Sequence, residues 1–258
     1  MNKGDLLKGV LQWENYDEHF QRRVKLPVFY YDNTAMTAIY TASTAMVRRH
    51  LPRTEMRPVE VLPGKALVAF TAFEYRRTDI DPYNEFSISF PVTYRKPSIP
   101  GLTVLSMMAR RYFTAYVWQL PVTTEIARYG GVQWYGYPKY LADIRFSHEG
   151  PMLSCTLTEG GENILVLEGK KLKTRNEKFN RFKTYSVKDG VVLPANVYMN
   201  PIEFGMSMSP GAARLSVGEK HPVARQLREL GLSERPVFYN YMPLMEAVLY
   251  APRNLMDD

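Results

Sequence analysis

Alternation with a period of two residues is the feature that most constrains this chain. Across residues 85–93, Phe86, Ile88, Phe90 and Val92 fall on one parity, and Glu85, Ser87 and Ser89 on the other. Successive side chains of a strand point to opposite faces, so this run predicts a strand with one apolar and one polar face. Residues 65–75 alternate likewise, with Leu67, Ala69, Thr71, Phe73 and Tyr75 on one parity. Residues 112–120 read as a further strand. Residues 153–158 and 164–167 flank Glu159-Gly160-Gly161-Glu162-Asn163, which predicts a hairpin. Lys188-Asp189-Gly190 predicts a second hairpin turn between 182–187 and 191–193.

Helical signals are fewer. Leu6, Leu7, Val10 and Leu11 after Asp5 predict a short amphipathic helix. Ser43 is placed to cap a helix over 44–50 that stops before Pro52. Residues 124–129 predict a short helix ended by Gly130-Gly131. Val223, Leu227 and Leu230 at i, i+4 and i+7 predict another, closed by Gly231. No linker, repeat or composition shift interrupts the chain. The expectation is a mainly β (α+β) fold with a few peripheral helices, as one domain over 1–258.

Composition narrows the function classes. Lys and Arg number 33 against 26 Asp and Glu, a net charge of +7, but the basic residues occur as scattered pairs. That pattern predicts a solvated basic surface and no nucleic-acid partner. Cys155 is the only cysteine, so one chain builds neither a disulfide nor a thiolate metal site. His19, His50, His148 and His221 are too far apart for ligand spacing, so no metal is expected. The start breaks into charge too soon for a secretory signal. The longest uncharged stretches, such as 112–124, are too short to span a bilayer. A cytoplasmic protein without a membrane partner is expected.

The sequence has no P-loop, no G-x-G-x-x-G and no G-x-S-x-G. The segment that stands out is Gly130-Gly131-Val132-Gln133-Trp134-Tyr135-Gly136-Tyr137-Pro138-Lys139-Tyr140-Leu141. One lysine sits among four aromatic residues, with no acid in the eight residues before it. Two readings compete. In one, Lys139 snorkels from a turn and its stem covers a ring. In the other it is a desolvated amine. A free lysine titrates near 10.4, so roughly one in two thousand is neutral at pH 7. Burial without a counter-ion favours the neutral amine, which attacks carbonyl carbon.

The segment Gly136-Tyr137-Pro138-Lys139-Tyr140-Leu141 resembles the signature of the acetoacetate decarboxylase-like superfamily. The resemblance extends upstream through Gly131, Ala127 and Glu125 to Tyr116. It takes in the stretch from Tyr40 to Pro52, and Tyr83-Asn84-Glu85, similar to the family's Tyr-x-Glu segment. It implies a cone-shaped, mostly antiparallel β-barrel and a homo-oligomer. It also implies Lys139 as a Schiff-base lysine that replaces any cofactor, and Glu85 as an active-site carboxylate. Taken alone, Glu85 is equally compatible with a solvated strand face.

The departures from the family pattern set the expected reaction. The family's second lysine falls on Tyr140, its carboxylate-steering arginine on Asn33, and its further glutamates on Thr71 and Gln133. The lysine is then activated by desolvation alone, or by a distant cation such as Arg128. Condensation of a keto acid with an aldehyde, followed by dehydration, is favoured over acetoacetate decarboxylation. A true β-keto acid decarboxylase and a non-catalytic small-molecule binder are the alternatives. Glu85 is the candidate for proton transfer and Gln133 for orientation. Trp134, Tyr135, Tyr137 and Tyr140 are candidate walls. Arg76 and Arg77 are candidate carboxylate clamps, with a charged surface loop as their other reading. Tyr241 is a candidate phenol in the site, with core packing as its other reading.

Overall fold

The period-two runs fold as long strands of a closed sheet. The computed structural model describes residues 4–252. In chain order the elements are β1 (Trp13–Asp17), β2 (Arg22–Leu26), β3 (Val28–Ser43), α1 (Thr44–Arg49), β4 (Met56–Pro58), β5 (Glu60–Leu62), β6 (Lys65–Thr78) and β7 (Tyr83–Tyr94). They continue as α2 (Leu102–Arg110), β8 (Tyr112–Gln119), α3 (Glu125–Tyr135), β9 (Asp143–Ser147), β10 (Met152–Glu159) and β11 (Glu162–Lys170). The last are β12 (Asn180–Lys188), β13 (Val191–Ser207), β14 (Ala213–Val217), α4 (Pro222–Glu229) and β15 (Phe238–Leu249).

Seven strands close a barrel in the order β7-β8-β12-β13-β15-β3-β6, with β6 pairing back to β7. Its neighbours are antiparallel except for β8 and β12, which run parallel. A four-stranded sheet, β14-β11-β10-β9, packs against the barrel, and β1 and β2 form a separate hairpin. Both predicted hairpin turns are present. Glu159 pairs with Glu162 across Gly160-Gly161, and Lys188 with Val191 across Asp189-Gly190. All four turn residues have positive φ, which glycine tolerates best.

Phe86, Ile88, Phe90 and Val92 are fully buried as their parity predicts. On β6 the parity expectation is corrected. Ala66, Val68, Phe70 and Ala72 are the fully buried set, and pack with Phe86, Leu153 and Leu167. Phe73 and Tyr75 face a second, smaller cluster with Tyr30, Tyr83 and Val122. Both faces of this strand are covered, so hydrophobicity alone does not mark the larger core.

α1 and α4 lie where expected, although the Ser43 side chain makes no capping hydrogen bond to α1. α4 is capped by His221, whose Nδ1 accepts from Val223 N–H at 3.2 Å. Two helix expectations are corrected, and one helix was not expected. Residues 4–9 form turns, because Gly4 and Gly9 take left-handed backbone (φ 85° and 78°). α3 does not stop at Gly130-Gly131 but runs on to Tyr135. α2 carried no core-facing pattern, since Leu102, Leu105 and Met108 are exposed.

Candidate active site

α3 ends at Gly136, whose left-handed backbone (φ 61°) closes the helix with its N–H on Val132 O, 3.2 Å. The chain doubles back, and Tyr137 N–H donates to Gly131 O at 3.0 Å. This return lays the Lys139 stem across Gly131, where a Cβ would stand 2.6 Å from Lys139 Cε. Glycine inside a helix costs about 1 kcal/mol relative to alanine. Here it clears the path of the lysine. On the far side, Val122 N–H donates to Tyr140 O (2.9 Å), and Ala142 N–H donates to Val122 O (3.0 Å). Val122 also bridges to Glu85 on β7. Val122 thus sets the register of the lysine segment against the strand that carries the glutamate.

The result is a buried ion pair. Lys139 Nζ lies 2.6 Å from Glu85 Oε2, with the two side chains 5% and 9% exposed. Tyr75 Oη donates to Glu85 Oε1 at 3.3 Å. Lys139 Nζ also sits 5.5 Å from the centre of the Tyr83 ring. The Tyr83 and Tyr30 hydroxyls are 3.2 Å apart, and the Tyr137 hydroxyl is 2.7 Å from Thr184 Oγ1. Burial pushes the Tyr30, Tyr75 and Tyr83 phenols far above their ordinary range, and the nearby Glu85 carboxylate adds to the push. Burial raises Tyr137 as well, partly offset by its bond to Thr184. The pair is therefore ringed by phenols that stay protonated and keep an O–H to donate. A narrow cavity of about 20 Å³ opens beside Lys139, with Tyr30, Tyr137, Trp134, Ile126 and Phe20 among its walls.

Of the residues singled out in the sequence, Lys139 and Glu85 meet here, and Trp134, Tyr135 and Tyr137 line the cavity beside them. The acid-free surroundings read from the local sequence are corrected. The counter-ion arrives from β7, 54 residues earlier, where local sequence does not reveal it. The other candidates lie elsewhere. Gln133 is exposed, and its backbone carbonyl accepts from Lys188 Nζ at 2.7 Å. Arg76 is held on the surface by Asp32 (2.5 Å) and Glu74 (3.3 Å). Arg77 stacks over the Tyr31 ring at 4.9 Å. Tyr140 turns away from the cavity, and its buried hydroxyl has no hydrogen-bond partner among the described residues. Tyr241 packs in the larger core. Arg128 is engaged by Glu125 on its own helix. Asn33 Nδ2 donates to Met245 O at 3.0 Å, and the Thr71 hydroxyl meets that of Thr37. Sequence reasoning missed Tyr30 and the phenol ring as a unit. Its members come from β3, β6, β7 and the segment after α3, and no local spacing links them.

Among the described residues, no three of His, Cys, Asp and Glu gather to hold a metal ion, and no helix is long and apolar enough to cross a membrane. The sequence profile of the acetoacetate decarboxylase family matches residues 18–240. The fold is similar to that of a solved acetoacetate decarboxylase, at 15% identity over 87% of each chain, with a TM-score of 0.61. The acetoacetate decarboxylase of Legionella pneumophila is similar at 14% identity, over 97% of this chain and 93% of that one, with a TM-score of 0.62. The enduracididine biosynthesis enzyme MppR, solved with pyruvate, is similar at 12% identity over 86% of each chain, with a TM-score of 0.60. No curated protein matches the chain.

Proposed function

The chain belongs to the acetoacetate decarboxylase family, and from that premise we propose that it is a Schiff-base-forming carbon–carbon lyase in which Lys139 attacks the keto group of a keto acid. The observation that carries this reading is the 2.6 Å contact between Lys139 Nζ and Glu85 Oε2, both nearly buried. Two charges are costly to bury even when they pair, and Glu85 Oε2 stands within reach to take a proton from Nζ. That transfer leaves the amine neutral and nucleophilic beside a carboxylic acid. The amine adds to the carbonyl carbon, and its proton moves to the carbonyl oxygen to give a carbinolamine. Glu85 then returns its proton to the hydroxyl, water leaves, and a protonated imine faces the restored carboxylate. Atoms and charge balance without a cofactor.

The imine is an electron sink for the neighbouring carbon. With a pyruvate-like acid, Glu85 takes a proton from that carbon. The resulting enamine attacks an aldehyde, and dehydration follows. With a β-keto acid the electrons come from loss of CO2. We favour condensation with dehydration. Asn33, Thr71 and Tyr140 supply no charge to the site, and Arg76 and Arg77 are committed to the surface. Tyr30 and Tyr137, neutral donors on the cavity wall, are the groups that receive the substrate carboxylate. MppR has been solved with the condensation product of pyruvate and imidazole 4-carboxaldehyde, which makes pyruvate with an aromatic aldehyde the first pair to assay.

The test is borohydride reduction in the presence of pyruvate or acetoacetate, followed by peptide mass mapping. The adduct is expected on the peptide that carries Lys139, and absent in Lys139→Ala. Labelling of another lysine, or of none, overturns the reading. Release of CO2 from acetoacetate at the usual enzyme rate of about 1–10³ s⁻¹ would reverse the choice of reaction and leave the imine in place.

A further inference from the structure

The β1–β2 hairpin holds the barrel at its base and its tip, and its two strands pair with each other rather than with the barrel. At the base, Gln12 Nε2 donates to Pro27 O (2.9 Å) and Asp79 Oδ2 (2.7 Å), and next to the turn Arg22 pairs with Asp81 at 2.5 Å. At the tip, Gln21 takes left-handed backbone (φ 49°). The turn lays His19 flat on Tyr129 of α3, with ring centres 4.3 Å apart, and sets Phe20 edge-on to the same ring at 5.3 Å. Phe20 and Val24 thereby become walls of the cavity that holds Lys139.

Two physical consequences follow. About 20 Å³ is room for roughly one water molecule, so a keto acid enters only when a wall gives way. The walls on barrel strands are pinned by ladder hydrogen bonds. The hairpin tip is held by ring contacts worth about 0.5–1.5 kcal/mol each and by the exposed Arg22–Asp81 pair, worth about 0–1 kcal/mol. Second, the residues that line the cavity include no charged group besides Lys139. Phe20, Val24, Ile126, Trp134 and Leu249 make the remaining surface apolar, so a charged substituent seated there would be buried without a partner.

We infer that the Lys139 site selects keto acids whose substituent beyond the carbonyl is apolar, and that Phe20 is the specificity-determining residue, moving aside to admit the substrate and then packing on that substituent. This rests on the imine reading above. The test is the rate of borohydride trapping at Lys139 for pyruvate, 2-oxobutyrate, 3-methyl-2-oxobutyrate, phenylpyruvate and 2-oxoglutarate. The wild-type chain is compared with Phe20→Ala and the more conservative Phe20→Leu, with circular dichroism as a check of fold. The wild-type chain is expected to trap the apolar acids at least tenfold faster than 2-oxoglutarate. Phe20→Ala is expected to raise the phenylpyruvate-to-pyruvate ratio at least tenfold, and Phe20→Leu to raise it less. Equal trapping of 2-oxoglutarate and the apolar acids, or a ratio that both variants leave unchanged, overturns this inference and leaves the imine intact. Absence of trapping at Lys139 with every acid overturns both.

Discussion

The two faces of the β6–β7 ladder differ in kind, although they alternate residue by residue. Ala72 pairs with Phe86 on one face, and Phe73 with Glu85 on the other. The Phe86 face is fully buried, apolar and packed against the four-stranded sheet. The Glu85 face meets the phenols and Lys139. Burial on the first face stabilises in proportion to apolar area removed from water. On the second, the desolvation of two charges offsets most of their attraction. One ladder therefore supplies stability from one side and the proposed reactive pair from the other.

The steepest expected effect belongs to the reactive face at high pH. The buried phenols Tyr30, Tyr75, Tyr83 and Tyr137 titrate above their ordinary value. Above about pH 10 the unfolded chain releases these protons while the folded one keeps them. Stability is thus fully present below pH 10 and falls as pH rises, by about 1.4 kcal/mol per pH unit for each such phenol. Thermal melts from pH 9 to 11 check this, and Tyr83→Phe should flatten the slope.

Next is Phe86→Ala on the packed face, expected to cost about 3–5 kcal/mol in denaturant unfolding. Imine formation per folded molecule should stay unchanged. Replacing the pair together, Lys139→Met with Glu85→Leu, is expected to leave stability unchanged or raise it by about 1–4 kcal/mol, with all trapping lost. A large loss of stability in that variant would make the two faces alike. The smallest effect on stability is expected from Gly131→Ala. Alanine favours the helix by about 1 kcal/mol, yet its Cβ meets the Lys139 stem. Circular dichroism should be preserved while trapping falls at least tenfold.

What the sequence disclosed follows the same division. The packed face was legible because Phe86, Ile88, Phe90 and Val92 keep a strict period of two and are all fully buried. The hairpins were legible because Gly160-Gly161 and Asp189-Gly190 suit left-handed turns. Lys139 and Glu85 were found by resemblance, but their contact was not, because it is made by the Val122 bridge and not by spacing along the chain. Gly131 read as a helix stop, since its use is a close approach that only the folded chain reveals. Arg76 and Arg77 read in sequence either as carboxylate clamps or as surface charges, and Asp32 and Tyr31 engage them on the surface. β6 misled on parity because both of its faces are covered.

In the proposed mechanism Glu85 is the proton acceptor that makes Lys139 a nucleophile. The direct measurement is the rate of imine formation with pyruvate in Glu85→Gln, which keeps the shape and removes the basic oxygen. General base catalysis contributes about 10²–10⁴-fold. The rate at Lys139 is predicted to fall by at least a hundredfold in a variant that retains its circular dichroism. A folded Glu85→Gln that forms the imine at the wild-type rate would contradict the account.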